Sequence, residues 1–296
     1  LIFEESEASG GGLKITKSLL QPGELELVEF TTGDYYAFVK DVEYSVTFVP
    51  SHDCYPQTRI VISMPQHIRF DPFIGCRVSY TRGECDYNAS TNELRLTEVF
   101  TEPFSGGNAL KFIIHGGNNP VGARYAGDWG VRTERPFEGR YYTVDGATGG
   151  KSFKALAGFI NSKLDFKGSK TFSTDSEYAF EFSTEHDIPR EGFFRLTLPA
   201  EMAFPPDVVA SQNIRNQISA SGSPRIELSE ITESSIIYYL PDGYTTADSN
   251  KITLQLFGLR TPRSFRPSSE FYVSTLTQEK YVIDEGGKDI TVTMSD

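Results

Sequence analysis

Apolar and polar residues alternate through a stretch of the chain that occurs twice. The first copy covers residues 43–65 and the second covers residues 177–199, so the offset is 177 − 43 = 134 residues. In each copy, apolar residues recur at every second position before and after a short polar loop. Because side chains of a β-strand point alternately to opposite faces, the pattern predicts two half-buried strands per copy. We interpret each copy as a β-hairpin and the repeat as a duplicated β unit.

Two further stretches of the chain also occur in pairs. Residues 93–100 match residues 225–232 with an offset of 225 − 93 = 132, and residues 108–116 match residues 250–258 with an offset of 250 − 108 = 142. The larger second offset predicts about ten additional residues in the second unit. Insertions are tolerated best on loops, and we expect these residues near positions 236–249.

Gly-Gly pairs mark the expected ends of the units. They stand at residues 11–12, 149–150 and 286–287, with spacings of 149 − 11 = 138 and 286 − 149 = 137. Each follows an apolar run that ends in an acidic residue, and each precedes a further strand-like run. The predicted organisation is an N-terminal strand or linker at 1–10, a first β-sandwich at 11–148, a second at 149–285, and a C-terminal strand at 286–296.

The two terminal strands are expected to lack a partner within the chain. A single apolar strand leaves backbone donors and acceptors unpaired and is therefore an association site. We predict that these strands pair with neighbouring molecules by strand donation, or else are the ends of further units of a longer chain. The residues predicted to build this assembly contact are Leu1, Ile2, Phe3, Ile290, Val292 and Met294.

The pattern as a whole predicts an all-β protein with two tandem antiparallel β-sandwich domains and unpaired terminal strands. Residues 152–160 are the only stretch expected to form a short helix. At 296 residues, with 38% hydrophobic and 13% aromatic residues, the chain can form two real cores. Because it begins with Leu1, we expect a processed product or a segment of a longer chain.

The second unit carries motifs that resemble a known family. They are His186-Asp187-Ile188-Pro189, the strand end at 196–199, the turn at 258–262 and the strand at 271–275. Together they are similar to the tandem immunoglobulin-like sandwich repeats of large surface proteins of ciliates and other protists. The resemblance covers most of both units. It implies immunoglobulin-like domains in an extracellular, repetitive, glycosylated surface or fibril component, and it implies no chemistry.

Charge and hydropathy restrict the partners of the chain. The net charge of −12 disfavours nucleic acid and anionic membrane surfaces, because both attract basic proteins. No run has the length of a membrane-spanning helix, and no signal peptide is present. We therefore predict no nucleic-acid partner and no membrane span.

Three cysteines and one sequon indicate the compartment. Cys76 and Cys85 flank a short segment and could form a disulfide across a hairpin, and Asn88-Ala89-Ser90 is the only N-glycosylation sequon. Their closeness favours an extracellular location with a glycan on Asn88. Cys54 could be free, could pair with another chain, or could be the true partner of Cys76 or Cys85.

The histidines are the residues with most chemical potential. His52 and His186 occupy equivalent loop positions beside Asp53 and Asp187, which could suggest metal binding or acid–base catalysis. We favour a structural role in orienting a turn, because residues shared by both units most simply serve the repeated fold. Neither these two nor the other histidines, His67 and His115, have zinc-site spacing, and the chain has no nucleophile elbow or phosphate-binding loop. We predict no catalytic, cofactor-binding or metal-binding residue.

Two binding functions remain as alternatives. Oxygen ligands cluster at Asp242, Asp248 and Asn250, where calcium could bind, although a solvated loop is the simpler interpretation. Aromatic side chains could also form a sugar-binding platform, although alternating aromatics are usually core or interface. The residues considered for this platform are Tyr35, Tyr36, Tyr141, Tyr142, Tyr238 and Tyr239.

The sequence thus predicts a non-enzymatic structural subunit of an extracellular fibril or surface coat. Copies of the chain would assemble head to tail through strand complementation into a linear or helical array with covalent glycans. The competing hypothesis is an adhesin or carbohydrate-binding module whose loops, particularly residues 232–249, recognise a ligand. An enzyme is the third hypothesis.

Overall fold

The protein is almost entirely β in the parts of the chain that the structure describes. The computed structural model describes residues 22–70, 77–78, 84–168, 171–222, 224–246 and 251–294. The elements in chain order are β1 (Gly23–Glu24), β2 (Glu26–Thr32), β3 (Val42–Val49), β4 (Arg59–Ser63), β5 (Arg69–Phe70), β6 (Arg77–Val78), β7 (Glu84–Asn88), β8 (Glu93–Thr97), β9 (Leu110–Asn118), β10 (Asp128–Phe137), β11 (Arg140–Lys151), β12 (Gly158–Lys167), β13 (Glu177–Thr184), β14 (Gly192–Thr197), α1 (Pro206–Ser211), β15 (Asn216–Ala220), β16 (Glu227–Ile231), β17 (Ser235–Leu240), β18 (Ile252–Phe257), β19 (Tyr272–Leu276) and β20 (Val282–Gly286).

The chain folds into two compact units. Unit 1 contains the described residues of Leu1–Gly33, Glu43–Gly117 and Gly127–Ser152, and unit 2 contains those of Asp34–Val42, Asn118–Ala126 and Phe153–Asp296. Unit 2 therefore includes two short segments that precede it in sequence, from the connections β2–β3 and β9–β10. The boundary predicted between residues 148 and 149 lies inside β11.

Unit 1 is a β-sandwich. One sheet has the order β1-β11-β10-β4-β8-β7, and the other has the order β2-β3-β9-β5, with β6 also paired to β9. The first strand contributes to both sheets, because only the buried Leu25 separates β1 from β2. Aromatic side chains fill the space between the layers, where the rings of Phe30 and Trp129 lie 5.6 Å apart.

Unit 2 repeats this arrangement with one continuous first strand. Residues Gly158 to Ile160 of β12 run parallel to β20, and the strand then pairs antiparallel with β13. Because β12 belongs to both layers, its sheet is continuous, in the order β15-β18-β13-β12-β20-β19-β14-β17-β16. Phe180 and Phe271 meet between the layers with their ring centroids 5.2 Å apart. Both units are thus sandwiches whose first strand joins the two layers.

The predicted strands of the repeated stretch are confirmed, but the predicted hairpin is wrong. Every second residue of β3 is buried, and so are Tyr178, Phe180 and Phe182 of β13, as the alternation required. However, β3 pairs with β2 and β9, while β4 pairs with β8 and β10 in the other sheet. The polar loop therefore carries the chain from one layer to the other. Alternation fixes which face of a strand is buried but not which strand lies beside it.

The predicted position of the inserted residues is also wrong. Leu94 of β8 pairs with Ile62, and Ile236 of β17 pairs with Leu196. The offset between the units is thus 196 − 62 = 134 for the first partners and 236 − 94 = 142 for the second. The additional eight residues, 142 − 134, lie before β17 and not at 236–249. The equivalent of β8 is therefore β17 and not residues 225–232. Those residues contain β16, the strand next to β17, and its similar alternation explains the wrong match.

The one helix of the described residues is not the predicted one. Residues 152–157 are extended, with an isolated bridge between Lys154 and Tyr125, and Gly158 begins β12. Helix α1 lies between β14 and β15 and buries none of its six residues. No helix in the described ranges is long and apolar enough to cross a membrane.

The C-terminal segment differs from the predicted unpaired strand. Ile290, Val292 and Met294 are buried in the core of unit 2. The backbone oxygens of Ile290 and Val292 accept hydrogen bonds from the N–H groups of Phe271 and Ser268, at 3.0 and 2.9 Å. The segment is apolar because it completes its own unit. The other predicted terminal strand, Leu1, Ile2 and Phe3, lies outside the described residues.

Candidate functional site: a histidine–aspartate pair in each unit

Each unit contains a histidine bound to a fully buried aspartate. In unit 1, His52 Nδ1 lies 2.5 Å from Asp145 Oδ1, and the His52 backbone N–H donates to Asp145 Oδ2 at 3.0 Å. In unit 2, His186 Nδ1 lies 2.7 Å from Asp284 Oδ1, and the His186 backbone N–H donates to Asp284 Oδ2 at 3.0 Å. The same two contacts therefore fix the loop between the layers to the last strand in both units.

The aspartates are held in place by a third shared contact. The backbone N–H of Asp145 donates to Thr133 Oγ1 at 3.1 Å, and that of Asp284 donates to Thr275 Oγ1 at 3.0 Å. Both threonines are buried. The threonines thus fix the backbone of the aspartates. The carboxylates themselves have zero exposure, and a buried charge is costly without partners; the ring and backbone N–H groups of the histidines supply those partners.

A glycine of the first strand covers each pair. A Cβ on Gly23 would lie 2.4 Å from Asp145 Oδ1, and one on Gly158 would lie 2.3 Å from Asp284 Oδ1. These glycines pair directly with the two aspartates in the parallel ladders β1–β11 and β12–β20. Glycine is required here because only a residue without a side chain allows the strand to approach so closely.

The surroundings of the two pairs differ. The His52 side chain is 59% exposed, whereas the His186 side chain is 14% exposed and has the Phe38 ring 6.0 Å away. Ser51 precedes His52, and its hydroxyl donates to Asp145 Oδ1 at 2.6 Å. Its counterpart is Glu185, whose carboxylate instead accepts a hydrogen bond from the backbone N–H of Phe159 at 2.8 Å.

These surroundings shift the pKa values in different directions. The hydrogen bond to Asp284 raises the pKa of His186, against the opposing effect of burial. Burial raises the pKa of Asp284, although the bonds from His186 oppose this. Burial also acts to raise the pKa of Asp145, but the hydrogen bonds from Ser51 and His52 outweigh it, so this pKa is lowered. The unit 1 carboxylate is thus the better-stabilised anion.

In unit 2 the His186–Asp284 pair lies beside a third residue, Glu185, and all three side chains are of kinds that can bind a metal ion. One ligand atom from each of Glu185, His186 and Asp284 lies within 4.8 Å of the others. Sequence reasoning named no such group, because Asp284 is 98 residues from His186. Unit 1 has Ser51 in place of the glutamate, and in both units the histidine Nδ1 is engaged by the aspartate. What the two units share is therefore the hydrogen-bonded pair and not the three-ligand set.

The aspartates beside the histidines in sequence bind a different loop. Asp53 Oδ1 accepts a hydrogen bond from the Gly106 backbone N–H at 2.9 Å. Asp187 Oδ1 accepts one from the Thr246 N–H at 2.7 Å and one from its hydroxyl at 2.8 Å. The paired residues of the sequence motif thus act separately, each fastening a turn, which agrees with the structural interpretation.

The predicted glycosylation site lies at the end of β7. The Asn88 side-chain oxygen accepts hydrogen bonds from the Ser90 backbone N–H at 3.0 Å and from the Ser90 hydroxyl at 2.7 Å. The residues of this turn are half-buried or exposed. The bond from the Ser90 N–H makes this an Asx-turn, in which the asparagine side chain binds the backbone two residues on.

The cysteines are described in part. Cys54 is a free and buried thiol. Burial raises its pKa to about 11, with smaller contributions from neighbouring charges. Cys85 lies in β7, but Cys76 is outside the described residues, so the pairing of Cys76 with Cys85 stays a prediction.

The proposed tyrosine platform is not one surface. Tyr238 is fully buried in the core of unit 2, and Tyr239 packs against Phe193 with ring centroids 5.4 Å apart. Residues 232–249 are not one loop, because Ser235–Leu240 form β17; Asp242 follows this strand, whereas Asp248 and Asn250 lie outside the described residues. Successive residues of a strand point to opposite faces, so Tyr238 and Tyr239 cannot belong to one platform.

An exposed aromatic cluster in unit 1 was not predicted as such. Its rings belong to the β10–β11 hairpin and to the loop before β4, and two arginine guanidinium groups stack on them. Arg59 lies 3.7 Å from the ring centroid of Tyr141, and Arg135 lies 4.3 Å from that of Tyr55. Tyr55, Phe137, Tyr141 and Tyr142 are all exposed, but they do not form one surface. Phe137 and Tyr142 lie on the Arg135 face of the hairpin, with ring centroids 6.2 Å apart, whereas Tyr141 points to the opposite face with Arg59.

Comparisons with known proteins do not assign a family. No family model matches the chain, and no curated protein matches it. Among solved structures, it is similar to the "Putative membrane anchored protein from Corynebacterium diphtheriae", with a TM-score of 0.25 and 8% identity, covering 92% of this chain and 94% of that one.

Proposed function

We propose that the chain is a non-enzymatic structural subunit of an extracellular fibril or surface coat. It would consist of tandem immunoglobulin-like repeats and assemble with copies of itself. The observation that carries the proposal is the repeated His–Asp–Thr arrangement, because both units use their most reactive side chains for the same internal contacts. A rod of such units needs only nearest-neighbour contacts to extend.

Strand complementation between copies would use the C-terminal segment. Ile290, Val292 and Met294 fill the core of unit 2, so the same segment from a neighbouring molecule could fill the same place by exchange. Such an exchange converts contacts within one chain into contacts between chains at little cost in free energy. It would leave the sandwich itself unchanged.

The test uses the whole chain with an engineered disulfide that can be formed and reduced. Ser268→Cys with Val292→Cys places two thiols on residues whose backbones are joined by the hydrogen bond from the Ser268 N–H to the Val292 oxygen, and oxidation would tie the segment to its own unit. We expect fibres by negative-stain microscopy from the reduced variant and none after oxidation. Fibres that form equally in both states would overturn complementation, and a chain that never polymerises would overturn the structural function.

The second candidate function is carbohydrate binding by the exposed aromatic cluster of unit 1. Aromatic rings with exposed faces are a common support for sugar rings, and Phe137 and Tyr142 are exposed on one face of the hairpin with ring centroids 6.2 Å apart. Specific binding on a glycan array that is lost in Tyr142→Ala and retained in Tyr239→Ala would favour it. Absence of binding, or loss in both variants, would argue against this surface.

A further inference from the structure

Strand β12 has one edge without a partner strand among the residues that the structure describes. On one side it pairs with β13 from Ile160 to Lys167. On the other side it pairs with β20 only from Gly158 to Ile160. The backbone of residues 161–167 therefore presents N–H and C=O groups on that side, which is the condition for adding another strand.

A groove of about 650 Å³ lies at the start of this edge, where β12 and the segment 286–289 separate after Ile160. Asn161, Ser162 and Lys163 line it together with Gly287 and Lys288, and Glu181, Ser183 and Lys251 of the neighbouring strands also contribute. The groove lies within unit 2.

The side chains of the free edge form an alternating and self-complementary series. Asn161, Lys163, Asp165 and Lys167 are exposed on one face, while Ser162, Leu164 and Phe166 are half-buried on the other. Lysine on an edge strand usually prevents strand pairing. Here Asp165 lies between Lys163 and Lys167 on the exposed face. In one antiparallel register between two copies of this strand, each Lys163 therefore faces an aspartate and not another lysine.

We propose that the free edge of β12 pairs antiparallel with β12 of a second copy, about a two-fold axis at Leu164. In this register residue numbers of opposite partners add to 164 + 164 = 328, so Lys163 faces Asp165 of the copy, and Asp165 faces its Lys163. Asn161 faces Lys167, and Ser162 faces Phe166. All seven residues of the edge are paired.

Neighbouring registers are disfavoured by charge or by length. Moving the sum by two residues to 326 places Lys163 against Lys163, and moving it to 330 places Asp165 against Asp165. A sum of 332 restores opposite charges at Asp165 and Lys167 but pairs only residues 164–168. Moving the sum by one would place half-buried residues against exposed ones. Charge and overlap thus select the same register.

Existing contacts in unit 2 support the arrangement. Lys163 lies opposite Glu181 on β13, but the Glu181 carboxylate binds Lys251 with an Nζ to Oε1 distance of 2.6 Å. Asp165 lies opposite the uncharged Ala179. The paired strands would also cover Leu164 and Phe166, which are incompletely buried at the edge of the core. Unit 1 offers no such edge, because β2 carries Glu26 and Glu29 and no lysine.

This lateral contact does not depend on the proposed fibril. It joins two copies through a closed two-fold interface, whereas head-to-tail assembly would use the terminal segments. A dimer could therefore form from chains that never polymerise. Conversely, chains locked by the Ser268–Val292 crosslink, which should form no fibres, would still dimerise through β12.

Charge exchange across the register provides the test. Lys163→Asp or Asp165→Lys alone places two like-charged pairs in the interface, and each cross-strand pair is worth up to about 1 kcal/mol. We expect either single variant to raise the dimer dissociation constant about tenfold or more. The double variant Lys163→Asp with Asp165→Lys restores both opposite-charge pairs and should restore dimerisation. Sedimentation equilibrium of the full chain measures all four proteins.

Control and contradicting outcomes are defined by the same experiment. Lys111→Asp makes the same change of net charge as Lys163→Asp, but at an exposed position of β9, and should leave the dissociation constant of the dimer unchanged. Circular dichroism verifies that each variant is folded. A wild-type chain that stays monomeric up to its solubility limit would overturn the proposal. So would a dimer that is indifferent to the single variants, or one that the double variant fails to restore.

Discussion

Asp284 and His186 are 98 residues apart in sequence, and their side chains lie 2.7 Å apart in unit 2. The contact ties the last strand, β20, to the loop that carries the chain from one layer of the sandwich to the other. Asp145 and His52 make the equivalent contact in unit 1. A pair of residues that is distant in sequence therefore closes each unit.

Removing the aspartate should destabilise the unit that contains it. In Asp284→Ala the half-buried N–H groups of His186 lose their acceptor, so we expect the free energy of unfolding of unit 2 to fall by about 1–3 kcal/mol. Urea denaturation combined with hydrogen exchange would measure the loss and locate it. Asp145→Ala is the matched variant and should affect unit 1 instead. Equal protection of both units in Asp284→Ala would contradict the structural role.

The His186 pair should make unit 2 sensitive to pH. The pKa of His186 is raised above its usual value of 6.5, so folding favours the protonated imidazole. The resulting stabilisation is fully present below pH 6.5 and is lost as the pH rises through the higher pKa of the folded state. An NMR titration of the imidazole should give a midpoint above 6.5, and His186→Gln should remove the corresponding slope of stability against pH. A midpoint at or below 6.5 would contradict the assigned hydrogen bond.

The glycine over each pair should not tolerate a side chain. In Gly158→Ala the new Cβ would lie 2.3 Å from Asp284 Oδ1 and 2.5 Å from His186 Nδ1, so the strand or the pair must move. We expect a loss of about 1–3 kcal/mol, typical of overpacking, measured by thermal or urea unfolding. Gly33→Ala is the control, since its nearest neighbour would lie at 3.6 Å. Similar effects of both substitutions would show that the close approach is unimportant.

Much of the β fold could be predicted from alternation alone, but its pairing could not. The buried positions of β3, such as Tyr44, Val46 and Phe48, follow the two-residue period. That period is identical whether the next strand lies beside β3 or in the opposite sheet. The same ambiguity displaced residues 225–232 by one strand, because β16 and β17 both alternate. Partner choice depends on long-range packing, which a local pattern does not contain.

Half of the candidate site was visible in the sequence. The repeat indicates His52 and His186, and each Gly-Gly pair draws attention to the acidic residue that precedes that pair. Asp145 and Asp284 are the acidic residues that end the apolar runs before two of the Gly-Gly pairs, but nothing local connects them with histidines more than 90 residues away. The signal that could have found the pairs is their joint recurrence in both units.

Glycosylation at Asn88 can be tested by mass. The Ser90 hydroxyl and N–H both bind the Asn88 side-chain oxygen, and the sequon requires a hydroxyl at this position. Secretion of the chain from a eukaryotic cell should therefore add a glycan that a glycosidase removes. Ser90→Ala should abolish the added mass, whereas Ser90→Thr should retain it. An unchanged mass in the wild-type chain would contradict glycosylation in that host.

The corrected correspondence between the units makes Ile236 a core residue and Ile226 a peripheral one. Ile236 is fully buried opposite Leu196, whereas Ile226 is half-buried at the edge of the core. Ile236→Ala should therefore cost about 2–5 kcal/mol of unfolding free energy, because it removes buried methyl groups and leaves a cavity. Leu94→Ala should be similarly costly in unit 1, while Ile226→Ala should cost clearly less. Denaturant unfolding would measure all three, and a larger loss at Ile226 than at Ile236 would restore the alignment expected from the sequence.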